Sequence, residues 1–329
     1  MPFGMGIDIG YSNVKLVMGE VEAAPQLQLR PAGAAPVDRL PERMNAGDDD
    51  TLRVLANNEH YAACVSPERL QNWNRVLHEN YPGTASYQAL YHAALLLSEQ
   101  PQVDWVVTGL PVAQWLDQKR RTALAEQLRG EHAVTPKRTV VVEQVRVIPQ
   151  PGGGYLDLLA QHPSPELLND TRVLVIDPGF FSVDWVFVVD GEIRHQSSGT
   201  SHQATSVLLE QASRLITTDH GGKVSRERLE QALRLGKDHV VLFGQPIDTR
   251  PYLERAGQHT VGVALTALQE SLRNETQGVD VVLLVGGGAR FFEAAVRHLF
   301  PGSQVLVPQE PVFANARGFW YFGQPGRQP

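Results

Sequence analysis

The sequence predicts an α/β fold in two similar halves around a shared cleft, and three stretches carry that prediction. The first is Gly6-Ile7-Asp8-Ile9-Gly10-Tyr11-Ser12-Asn13-Val14-Lys15, an apolar strand that ends on an aspartate, turns at a glycine and returns as a strand. The second, residues 173–188, repeats the design: a buried strand to Asp177, a turn at Gly179, the hydroxyl of Ser182, and a returning strand that carries Asp184. The third is Val281-Val282-Leu283-Leu284-Val285 running into Gly286-Gly287-Gly288. One such hairpin alone reads equally well as an ordinary polar turn. Two copies, each with an aspartate two residues before a glycine, point to two related domains facing one site.

The residue types suit phosphate chemistry. Asp8 and Asp177 lie at strand ends, where a carboxylate can hold a hydrated Mg²⁺ that keeps most of its waters. A turn-capping role is the plain alternative for each. Ser12, Asn13, Ser182 and the N–H groups of both turns are donors for phosphate oxygens. Gly10 and Gly179 let the backbone come close to a ligand, with Tyr11 in the first turn. Lys15 either adds positive charge there or faces solvent. Gly286, Gly287 and Gly288 permit flat contact with a nucleoside, and Arg290 follows them.

In this order and spacing the three segments resemble the actin / sugar kinase / heat-shock chaperone superfamily of ATPases: two phosphate loops and an adenosine motif. The short chain and Val145-Arg146-Val147-Ile148-Pro149-Gln150 look most like the plasmid-segregation actins of the ParM/StbA type, and among these like the actin-like protein of the PRTRC cassette. The resemblance implies two actin-like, ribonuclease H-like domains with mixed sheets flanked by helices. Their expected bounds are 1–150 plus 311–329 for the first and 151–310 for the second. It implies ATP or GTP with Mg²⁺, held through water by Asp8 and Asp177. It places Gln150 where relatives orient the attacking water. A glutamine is no strong base, so slow turnover follows. It also puts Arg226 and Glu230 near the purine, against the simpler reading of a solvated helix face. Phe180 and Phe181 depart from relatives that carry small or hydroxyl residues there; they pack beneath the loop or narrow the phosphate pocket.

Along the chain, 23–40 reads as a Pro-, Ala- and Gln-rich connection. Three adjacent aspartates, Asp48, Asp49 and Asp50, read as solvated loop rather than a metal site, since consecutive residues do not converge on one point. Residues 52–65 read as strand, Asn57-Asn58 turn and strand. Spacings of three and four predict a helix through Tyr87, Leu90, Tyr91, Ala94 and Leu95. A buried strand ends in Thr108-Gly109-Leu110-Pro111, a helix covers 113–129, and another strand runs over 139–148. Gly152-Gly153-Gly154 marks the domain boundary, before a short helix at 155–160. In the second half, helices are expected at 204–217, at 224–233 with Ser225 as N-cap, at 261–274 and at 291–300. Ala314-Asn315-Ala316-Arg317-Gly318 opens a closely packed helix, which resembles the family's second hinge.

Composition limits the function classes. The 329 residues suffice for two domains. A net charge of -7 argues against a broad basic surface for nucleic acid. One cysteine, Cys64, excludes an intramolecular disulfide and is read as structural. The eleven histidines show no metal spacing. No signal peptide or membrane span is evident, so a cytoplasmic protein is expected. The function expected is an actin-like ATPase that polymerises for plasmid segregation, with itself and a DNA-binding adaptor as partners and no direct contact with nucleic acid or membrane. A small-molecule kinase or a nucleotide-switched scaffold that does not polymerise is the alternative.

Overall fold

The structure, a computed structural model, describes residues 1–41, 51–71 and 80–326. The three adjacent aspartates lie outside them. The chain opens with β1 (Phe3–Ile9) and β2 (Asn13–Glu20), an antiparallel hairpin that pairs Asp8 with Lys15 across the strands. The expected connection at 23–40 is instead β3 (Gln26–Pro31) and β4 (Gly33–Pro36). Gln26-Leu27-Gln28-Leu29 alternates polar and apolar, the period of a strand packed on one face. β4 joins β5 (Leu52–Ala56) and β6 (Glu59–Val65) in a separate three-stranded sheet. Cys64 on β6 packs against the first core, and burial pushes its thiol up to about 12.

Next come α1 (Ala85–Leu97) and β7 (Gln102–Leu110). The helix expected at 113–129 is two: α2 (Val112–Trp115) and α3 (Gln118–Leu128). Asp117 separates them, because its carboxylate accepts the N–H groups of Lys119 and Arg120 at 2.9 and 3.4 Å and caps the second helix. A strand that the sequence reading lacked, β8 (Gly130–Thr135), forms a hairpin with β9 (Arg138–Pro149). The first six-stranded sheet thus runs β3-β2-β1-β7-β9-β8, with β1 and β7 parallel.

The Gly-rich segment is not a loop before a short helix. It lies inside α4 (Gln150–Gln161), with all three glycines buried. Beyond it, β10 (Arg172–Pro178) and β11 (Val183–Val189) repeat the opening hairpin, and Asp177 pairs with Asp184 where Asp8 pairs with Lys15. The chain continues through β12 (Glu192–Ile193), β13 (Gly199–Ser201), α5 (Thr205–His220) and α6 (Arg226–Arg234). Ser225 caps α6 as expected, accepting the N–H of Arg228. A second hairpin absent from the sequence reading, β14 (His239–Leu242) and β15 (Gln245–Asp248), precedes α7 (Arg250–Ser271). That helix starts eleven residues before the expected 261, with Pro251 in its first turn, where no intrahelical N–H is needed. β16 (Val281–Leu284), α8 (Ala289–Leu299), β17 (Gln304–Leu306) and α9 (Ala314–Gly323) complete the chain. The second sheet runs β12-β11-β10-β16-β17, with β10 and β16 parallel, as β1 and β7 are in the first. The architecture is the two-domain α/β fold that the sequence predicts. Among the described residues no helix is long and apolar enough to cross a membrane.

Two helices tie the sheets together. α9 packs on β1, β2 and β7 of the first sheet, while α4 packs on β10 and β11 of the second and on β7 and β9 of the first. They cross backbone to backbone: a methyl group on Gly318 would lie 1.8 Å from the Gly153 carbonyl oxygen, and one on Gly153 2.5 Å from the Asn315 carbonyl oxygen. The glycines that read as a flexible boundary are therefore a contact surface. Gly318→Ala is expected to lower stability by about 1–3 kcal/mol through overpacking. Gly302→Ala, with nothing within 4 Å of the new methyl, is the control and should melt like the parent in calorimetry.

Candidate functional site

A cavity of about 320 Å³ opens where the two hairpins and the glycine turn meet. Every expected site residue lines it except Arg226. Asp8 and Asp177 come from equivalent strand ends, and both are buried. Asp8 is held twice: Lys15 Nζ lies 3.0 Å from one carboxylate oxygen, and Gln150 Nε2 donates to the other at 3.0 Å. Lys15 thus neutralises Asp8 rather than facing solvent. Gln150 reaches the site because it is the first residue of α4, directly after β9.

Asp177 accepts from Asn315 Nδ2 at 2.6 Å. Its carboxyl is pushed up to about 7, first by burial, then by Asp8, against the pull of Lys15; Asp184 raises it further, and the Asn315 hydrogen bond opposes. Gly286 leaves room for it. Its φ of +79° suits glycine, and a methyl there would lie 2.0 Å from Asp177 Oδ1.

Asp184 has a different task. It accepts from Ser182 Oγ at 2.6 Å, Thr200 Oγ1 at 2.5 Å and the Val112 N–H at 2.9 Å. Burial holds its carboxyl above the ordinary range, against these three bonds. The Val112 bond ties the start of α2, in the first domain, to the second hairpin. The Ser182 hydroxyl proton is committed to Asp184 and not to the cavity.

The first turn closes with the Gly10 N–H donating to the Asn13 carbonyl at 3.0 Å. Ser12 Oγ donates to Glu230 Oε1 at 2.5 Å, and Arg234 lies 3.8 Å from the same oxygen. Arg234 also reaches Glu68 at 3.4 Å. Glu230, expected at the purine, here links the first turn to α6. Arg226 is displaced from its expected place: its guanidinium sits over the Phe180 ring at 5.8 Å and pairs with Glu227 at 3.1 Å.

Phe180 and Phe181 both line the cavity. Phe180 packs into a core formed by α5, α6 and their neighbours. Phe181 leans against Tyr11 at a tilt of 36° with centroids 4.5 Å apart, and Tyr11 stacks on Tyr81, also at 4.5 Å. Tyr87 meets Tyr81 edge-on at 5.5 Å, and His202 lies 5.3 Å from Phe181. This column crosses the cleft. The second turn is braced by Thr205, whose hydroxyl donates to the Gly179 carbonyl at 2.8 Å. Gly287 is exposed at the mouth, and Arg290, at the start of α8, covers the Phe291 ring at 4.7 Å. Sequence reasoning did not pick out Asn315, Arg234, Tyr81 or Thr205 for this site. An asparagine between alanines at the start of a buried helix was the signal for Asn315.

The family description "Actin like proteins N terminal domain" matches residues 6–153, and "Archaeal actin homologue MreB-like, C-terminal" matches 175–298. The chain belongs to the actin-like proteins. Among solved structures, pCBH ParM (a non-polymerisable quadruple mutant) is 19% identical over 98% of this chain and 99% of its own, with a TM-score of 0.77. A 15-stranded ParM filament from Clostridium botulinum gives 0.75 at 19% identity, covering 98% and 99%. The archaeal actin homolog Ta0583, in complex with ADP, gives 0.73 at 19% identity over 96% and 97%. No curated protein sequence matches this one.

Burial of Asp177 in this actin-like cleft has a measurable sign. Between the ordinary carboxylate value and about 7, the native state keeps a proton that the unfolded chain has released. Stability therefore falls as pH rises across that interval. Asp177→Asn, which carries no charge, is expected to melt above the parent at pH 8 and to lose that advantage towards pH 5 in thermal denaturation without nucleotide.

Proposed function

We propose that this chain binds ATP or GTP with Mg²⁺ between its two domains, hydrolyses it slowly, and assembles with copies of itself into filaments that move plasmid DNA through a DNA-binding adaptor. One observation carries the reading: two buried aspartates, at equivalent ends of repeated hairpins, face a single cavity. The Ta0583 complex with ADP and the ParM filament support it by likeness of fold. The domains of this reading are 1–150 plus 311–329 and 151–310. The compartment is the cytoplasm.

The donor set fits a nucleotide with its cation. Among the described residues no group of three or more His, Cys, Asp or Glu is placed to hold a metal. Asp8 and Asp177, two carboxylates lining one cavity, would instead hold a hydrated Mg²⁺ through its waters. When bound, the cation neutralises the charge that develops on the transferred phosphate. Lys15 supplies a second positive charge beside Asp8. Gly10, Tyr11, Asn13 and Gly179 present the turns to the phosphates, and Gly286, Gly287, Gly288 and Arg290 border the nucleoside. Gln150 orients the attacking water: its Nε2 is committed to Asp8, which leaves Oε1 to accept a hydrogen bond from that water.

The kinase alternative needs a carboxylate to activate an acceptor hydroxyl. Among the described residues the carboxylates that line the cavity are Asp8, Asp177, Asp184 and Glu230, and each is engaged by protein donors. This favours water as the acceptor.

Calorimetry is expected to find Mg-dependent nucleotide binding; none at millimolar nucleotide would overturn the reading. Light scattering with and without Mg-ATP, followed by electron microscopy, separates a filament from a switched scaffold. Gln150→Ala is expected to slow phosphate release about 10- to 1000-fold, as for loss of one positioned group, with Mg-free nucleotide affinity nearly intact. Unchanged phosphate release would move the water-orienting role to another residue of the cleft.

A further inference from the structure

Asn315 is buried in the first turn of α9, and both ends of its side-chain amide are fixed. The Gly154 N–H lies 3.1 Å from Asn315 Oδ1, and a main-chain N–H can only donate. The oxygen must therefore face Gly154, so the Nδ2 group must face Asp177, to whose Oδ2 it donates at 2.6 Å. A flip of the amide would break both bonds. The other oxygen of Asp177 abuts Gly286, where a methyl would lie 2.0 Å away. The carboxylate is thus clamped between one donor and one bare backbone.

We infer that Asn315 is a positioning residue for the proposed nucleotide site: it aims the Asp177 carboxylate at the cation and couples that aim to the first turns of α4. The inference rests on the reading of the cleft as a Mg-nucleotide site. Its logic is the pairing of two amides with two carboxylates. Gln150, the first residue of α4, holds Asp8 at 3.0 Å; Asn315, on α9, holds Asp177. α4 and α9 meet at the Gly153–Gly318 crossing, so the spacing of the two carboxylates is set by a rigid contact rather than by the turns alone. Hydrogen bonds that orient a metal-facing carboxylate act on cation affinity without touching the cation.

The test compares Asn315→Asp and Asn315→Ala with the parent. The alanine variant removes the donor to Asp177 without adding charge; the aspartate variant keeps an acceptor for the Gly154 N–H but sets a second carboxylate against Asp177, and serves to show what added charge does there. Calorimetry with a non-hydrolysable ATP analogue, with and without Mg²⁺, gives the affinity gained from magnesium. The alanine variant is expected to lose about 10- to 100-fold of that gain, the usual effect of removing an outer-shell partner, while its Mg-free affinity stays within about threefold. A melting curve accompanies each titration. A folded alanine variant that keeps the whole magnesium gain overturns the inference and leaves the site reading intact. A parent chain with no magnesium gain overturns the site reading itself, and the inference with it. Should the alanine variant not fold, Gly286→Ala presses on the same carboxylate from its other side. The same loss of magnesium gain supports the clamp, and a full gain overturns it.

Discussion

Two carboxylates of like charge share one buried cavity, and the rest of the molecule is arranged to make that tolerable. Burial alone drives a carboxylate towards its protonated form, and a second one nearby adds to the effect. Asp8 is relieved by Lys15 and Gln150, and Asp177 by Asn315. The relief comes from different layers of the fold: a cross-strand lysine, the first residue of α4 and the second of α9. Where the second hairpin puts Asp184 opposite Asp177, instead of a lysine, three donors gather around Asp184. Repeating the hairpin without repeating its charge pair left Asp177 the less compensated of the two aspartates, and its raised carboxyl records this.

Much of this was legible in the chain because it is local. An apolar strand, an aspartate, a glycine turn and a returning strand occupy about sixteen residues, and the structure builds both hairpins where the sequence puts them. Other features resisted for physical reasons. Gly152-Gly153-Gly154 looks like a break in the chain, since glycine weakens an isolated helix by about 1 kcal/mol per residue. Tertiary packing reverses that preference, because only bare backbone fits against Gly318 and Asn315. β8 carries Gly130, Glu131 and Ala133 beside its buried His132 and Val134, so no apolar run announces it.

The site residues divide along the same line. Lining positions within the two turns follow from the motif. The partners of those residues come from far along the chain: Glu230 for Ser12, Asn315 for Asp177 and Val112 for Asp184. No spacing rule encodes such pairs. Arg226 illustrates the opposite hazard. It lies on the expected helix, one turn before Glu230, and that turn is enough to carry it from the cavity to the back of Phe180.

The aromatic column bears on how the cleft opens. Tyr87 and Tyr81 are embedded in the core of the first domain, so the column is anchored on that side and joined to the other by the Tyr11–Phe181 contact. Dispersion between rings is lost steeply once they part by even an ångström. The share of the resistance to opening that the rings supply is therefore felt at the start of the movement, beside the polar contacts of Ser12 with Glu230 and Arg234 with Glu68. Packed contacts of this kind give two discrete arrangements rather than a continuum. In that junction the rings act as a catch, not as a spring.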